Sequence, residues 1–121
     1  MTIAMTGVVA VTIFVIVAVA AVGSLYGAKA QAENAADAAA LAAAVATYPP
    51  AAGAEPVSSA ADIAARNGAR LLRCECAVDG RLVARTVLVV VSIGARVPIF
   101  GAVTVRASSR AEFDPGEWLG P

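Results

Sequence analysis

The sequence predicts an α+β protein: a long N-terminal helix, then a short helix and a small antiparallel three-stranded sheet. Three observations predict it. No charged side chain precedes Lys29, and Gly7 to Ala28 is a continuous apolar run. The alanine-rich stretch that follows, Ala28 to Val45, contains neither Pro nor Gly. After Gly68 the apolar positions begin to alternate, as in a strand.

The first element is read as a transmembrane helix continuing into a stalk. At ~1.5 Å per residue the run from Gly7 to Ala28 rises about 33 Å, enough to cross a hydrocarbon core of ~30 Å. A surface helix of a soluble protein must turn one polar face to water, and this run has none. Tyr26 and Lys29 stand where an interfacial aromatic and a snorkelling cation belong. Beyond them alanine, the best helix former, carries the helix to about Ala46. Lys29, Glu33 and Asp37 follow one another at four-residue spacing and mark a solvent stripe.

Tyr48 to Gly53, with Pro49 and Pro50, ends the helix and opens a linker. Ser58 or Ser59 is placed to cap a short second helix, with Asp62 completing a loose capping box, and Gly68 is its stop. Leu72, Cys74, Cys76 and Val78 then alternate with Leu71, Arg73, Glu75 and Ala77 as a first strand. Asp79-Gly80 signals a two-residue hairpin. The return strand is expected from Arg81 to about Ser92, a loop from Gly94 to Gly101, and a third strand from Ala102 to about Arg110, with Val103, Val105 and Ala107 on one face. The division this implies is an anchor over 1–28, a stalk over 29–47, a linker over 48–57, a small domain over 58–112 and a tail over 113–121.

Composition excludes more than it suggests. The chain has 121 residues, 60% hydrophobic and 15% charged, with a formal net charge of zero. That balance offers nothing to a polyanion, so no nucleic-acid partner is expected. Histidine is absent, which removes the commonest general base and metal ligand. No serine or carboxylate spacing assembles a nucleophile with its base, and Asp62, Asp79, Glu112 and Asp114 are scattered. No catalytic residue, cofactor or metal is therefore assigned, and the protein is read as a non-enzyme.

Two features remain. Gly23 and Gly27 form a small-xxx-small pair, which lets helix backbones approach closely in lipid and so permits self-association; the bland reading is chance in an Ala/Gly-rich helix. Cys74 and Cys76 sit two apart. On an extended strand their Cα atoms would lie ~6.5 Å apart, near the upper limit for a disulfide. The preferred reading is that both pack as small hydrophobes, the alternative a redox pair outside the cytoplasm.

The segment from Gln31 to Ala44 carries a resemblance. Asn34-Ala35-Ala36-Asp37-Ala38-Ala39-Ala40-Leu41, continuing to Ala44, follows directly on an apolar span and Leu25-Tyr26, and it resembles the hallmark of the TadE/TadG-like proteins of Flp (tight-adherence) pilus assembly. Asn34, Asp37 and Leu41 carry most of the likeness, with Ala35 and Ala36 between them. The remainder, with its short helix, Asp-Gly turn and late strand, is similar in layout to the small actinobacterial members.

The resemblance implies a minor pilin or pseudopilin-like component of a type IV-related pilus or secretion apparatus. Such a protein is held in the inner membrane by one span, with its domain extracytoplasmic or at the cell surface, and acts by assembly. The partners implied are membrane lipid, other pilus-assembly or pilin subunits, and further copies of itself. Gly7 is the candidate processing site. Processed members carry a glutamate at the fifth residue of the mature chain; here that position is Thr12, so a membrane-resident accessory fits better, unless the start is misassigned and a basic leader precedes it. Orientation rests on the resemblance, since the positive-inside rule has only Lys29 to count. Two other readings stand beside it. Ala28-Lys29-Ala30 resembles a signal-peptidase site, which would release a secreted binding module, and Cys74 with Cys76 would serve a membrane-anchored thiol-redox protein.

Overall fold

The computed structural model describes residues 1–49 and 53–120. Pro50 to Ala52 of the expected linker and Pro121 of the tail lie outside the described residues. The order is α1 (Thr2–Ala46), α2 (Pro56–Arg66), β1 (Arg70–Glu75), β2 (Arg85–Val97), β3 (Gly101–Phe113) and α3 (Pro115–Trp118). One antiparallel sheet has the order β1-β2-β3. The α+β architecture is as expected.

α1 is a single helix of 45 residues, about 67 Å long at ~1.5 Å per residue. Its few polar side chains in the apolar half are satisfied within the helix. The hydroxyls of Thr6, Thr12 and Ser24 donate to the carbonyls four residues earlier, at 2.8, 2.8 and 2.9 Å. The helix stops at Ala46 because Pro49 disfavours helical backbone at the residue before it. Thr47, buried there, donates its hydroxyl to the carbonyl of Ala44 at 2.6 Å.

The core lies between the alanine half of α1, α2 and the sheet. Ala32, Ala35, Ala36, Ala39, Ala40, Ala43 and Ala44 meet Ala60 and Ala64 of α2 and Val87, Val89, Val91 and Ile93 of β2 in one cluster. Alanine here lets a sheet and a helix sit close to α1 along several turns. The stretch read as a stalk is thus the spine of the domain.

Four sequence expectations are corrected. Ser58 and Ser59 lie inside α2; its N-cap is Glu55, and Pro56 occupies the first turn, where its missing N–H costs nothing. Asp79-Gly80 is not a two-residue hairpin. β1 ends at Glu75 and β2 starts at Arg85, and the intervening loop is tied to the end of α1 by the Asp79 N–H, which donates to the carbonyl of Thr47 at 2.8 Å. Gly94 to Gly101 is mostly strand: β2 runs on to Val97, which pairs with Gly101, so only Pro98, Ile99 and Phe100 form the turn. Finally, a bulge between Leu71 and Arg73 rephases β1. Leu71, Cys74 and Cys76 pack against the core, while Leu72 and Val78 are exposed. Gly68 does end α2, at φ +74, with the Gln31 side chain pressed against it, so a β-carbon there would meet Gln31 Nε2 at 2.8 Å.

β2 runs antiparallel to α1. At the far end of the helix, Arg85 Nη1 donates to the carbonyl of Thr47 at 3.3 Å. Further back, Gln31 donates to the carbonyl of Asn67 at 3.2 Å, close to where Arg70 opens β1 opposite Ser92. β1 reaches no further, so beyond Ser92 the β2–β3 hairpin continues as a two-stranded ribbon along α1.

Candidate functional site

The surfaces left over after folding are more informative than any cleft. Among the described residues no group of three or more His, Cys, Asp or Glu could hold a metal ion. α1 carries the rest. Its first part, from Thr2 past Phe14 and Val19 to Val22, exposes large apolar side chains on all sides. It is long and apolar enough to cross a membrane. Gly7, Gly23 and Gly27 lie on this helix in open space; a β-carbon at any of them would meet nothing within 4 Å. The small-xxx-small pair is therefore unoccupied by the chain's own domain. Ala28-Lys29-Ala30 lies mid-helix, with Ala28 buried and Lys29 paired to Glu33 at 3.1 Å.

The alanine half of α1 divides its motif between two faces. Ala35 and Ala36, with Ala39 and Ala40, point into the core. Asn34 and Asp37 are exposed, and Leu41 is 61% exposed. These three recur at i, i+3 and i+7, a single stripe on the helix surface. The inward alanines from Ala35 to Ala44 are not open to another subunit, because α2 and the sheet already cover them. What faces outward is the stripe of Asn34, Asp37 and Leu41.

Cys74 and Cys76 are joined by a disulfide, with Cα atoms 5.4 Å apart. The separation is shorter than for two residues of one extended strand because Cys76 lies beyond the end of β1. Both remain packed against the core.

Sequence reasoning missed the loop that closes the far end of the domain. Arg85 donates to the carbonyls of Thr47, Asp79, Arg81 and Val83, tying three loop residues to the end of α1. Arg81 clamps the Asp79 carboxylate through Nε and Nη2 at 2.9 to 3.2 Å. The Arg81 side chain, and then its backbone N–H, hold the Asp79 carboxyl down at about 2. An arginine closing a polar loop has no periodicity to betray it; the one available signal was Asp79 and Arg81 two residues apart.

α1 is thus bare, apolar and long enough to span a membrane at one end, and packed as the spine of a small domain at the other. Residues 1–46 match the protein family described as "Putative Flp pilus-assembly TadE/G-like". The N-terminal helix is thus a TadE/G-like segment, as Asn34 to Ala44 suggested, and the match ends at Ala46, where α1 ends. No curated protein and no solved structure matches the chain.

Proposed function

We propose that this chain is a membrane-anchored, non-enzymatic component of a Flp/Tad-type pilus-assembly or secretion apparatus, minor-pilin-like in form. It is a single-pass protein with its domain on the extracytoplasmic side, and it acts by presenting α1 to other subunits. One observation carries the reading: residues 1–46 match a pilus-assembly family, and Asn34, Asp37 and Leu41 of that segment are turned away from the chain's own core. The anchor is the apolar half of α1, with the open Gly23 and Gly27 surface available to a second helix. The sheet supports a further contact, since β1 and β3 are edge strands and, among the described residues, no fourth strand pairs with either.

Cysteine placed at Leu41 tests it, in cells expressing the whole pilus locus. Crosslinks to pilus-system subunits or to a second copy are expected from Leu41→Cys, and none from Ala39→Cys, which faces the core. Only monomer from Leu41→Cys, with the chain intact in the membrane, contradicts the proposal.

A further inference from the structure

The tip of the β2–β3 hairpin is unlike a solvated turn. Its three residues are Pro98, Ile99 and Phe100. Ile99 is 81% exposed and Phe100 73% exposed. Ile99 also has φ +74, a left-handed conformation that a β-branched residue adopts only under strain and that turns ordinarily give to Gly or Asn. Water and backbone geometry both disfavour isoleucine here, so the side chain has a use outside the fold.

Its position along α1 identifies that use. From Arg85, level with Thr47, to Val97, β2 advances about 40 Å at ~3.3 Å per residue. That is the rise of about 26 helical residues, which brings Val97 to the level of Ala21. The intermediate tie between Gln31 and Asn67, near the Arg70–Ser92 pair, fits the same alignment. Burial agrees at both ends: Val97 is 3% exposed on a ribbon that has lost its β1 neighbour, and Ala21 is 7% exposed, with Val17 and Ser24 on the same helix face partly covered. The helix from Thr2 to Ala21 rises about 30 Å, the thickness of a hydrocarbon core.

We infer that the Pro98-Ile99-Phe100 tip seats in the outer edge of the same bilayer that holds α1, forming a second membrane contact that fixes the depth of the helix. The inference rests on the membrane anchoring proposed above. Charge favours it: Arg96 and Arg106 are the only charged residues in the tip half of the hairpin, from Leu88 to Ser109, and exposed Arg96 precedes the tip where it can reach lipid phosphate. The depth is limited, because unpaired ribbon edges cannot enter hydrocarbon and only the turn beyond the last ladder pair, Val97–Gly101, can descend. Tyr26 then lies in the headgroup layer.

The test uses the full chain in phosphatidylcholine–phosphatidylglycerol vesicles with lipids brominated at different depths. Phe100→Trp or Ile99→Trp, each with Trp118→Phe, reports the tip, and Phe14→Trp with Trp118→Phe reports the helix. Expected are a blue-shifted tip tryptophan quenched most by shallow bromines, and a Phe14→Trp signal quenched most by deep ones. Quenching at position 14 with neither tip variant quenched overturns the inference and leaves the anchor standing. A blue-shifted but unquenched tip means that protein covers it, which also overturns the inference. No quenching at position 14 removes the anchor, and the inference with it.

Discussion

The two halves of α1 share one backbone and invert the usual relation between size and burial. From Thr2 to Tyr26 the large side chains are almost all exposed and Ala21 is the one buried residue; from Ala28 to Ala46 the inward side chains are almost all alanine, and buried. In a soluble core, large residues go inside because burying apolar area drives folding. Here the large ones stay outside the fold, which lipid permits, and methyl groups line the contact where a sheet must lie close to a helix. The lesson is that an alanine run can be a core. Its bulk comes from the other side, from Val87, Val89 and Val91.

Enlarging the two halves breaks the comparison most sharply. Ala36→Leu adds volume at a site with no exposed surface and should cost about 3 kcal/mol, with loss of hydrogen-exchange protection across β2. Val15→Leu, on the exposed half, should leave that protection unchanged. A smaller effect is expected at Gly27, where a side chain meets nothing in the monomer. Gly27→Leu should leave the domain's stability intact and weaken self-association in a membrane reporter by about 1 kcal/mol. Ile99→Asn goes the other way: relief of the left-handed strain should stabilise the domain by up to about 1 kcal/mol in thermal unfolding, because Asn tolerates that backbone.

The smallest effect is at the far end of the domain. Asp79 has its pKa lowered from 3.8 to about 2 by Arg81. A carboxyl held below its unfolded value stabilises the fold above pH 3.8, and that contribution is lost as pH falls through about 2. The stability gap between the native chain and Asp79→Asn should be constant above about pH 4 and close near pH 2, as read from acid unfolding curves.

How legible these features were depends on the range of the forces that set them. The α1 helix, the α2 stop at Gly68 and the inward face of Val103, Val105 and Ala107 follow from local propensity and spacing, and each was readable. β1 was misphased because a bulge at Leu72 leaves no mark on an alternating pattern. The Asp79-Gly80 hairpin failed because Arg85 and Thr47, distant in sequence, offer the loop better hydrogen bonds than a tight turn would. The loop expected around Pro98 proved to be three residues, since Gly94 and Ala95 pair with Thr104 and Val103. At the candidate surface, Gly23 and Gly27 stand out by motif, and the structure leaves both in open space. The outward stripe of Asn34, Asp37 and Leu41 needed the structure, because nothing in an alanine-rich sequence says which alanines the domain will cover.

Spin-label accessibility along α1, in nanodiscs, bears most directly on the divided helix. Labels from Val8 to Val19 should show high oxygen accessibility at every position, with no helical period. From Ala28 to Ala46 accessibility should oscillate with a 3.6-residue period, with minima at Ala32, Ala36 and Ala43 and water-accessible maxima at Asn34, Asp37 and Leu41. Water access throughout the first stretch, or maxima falling on the alanines instead, would contradict a helix split between lipid and its own domain.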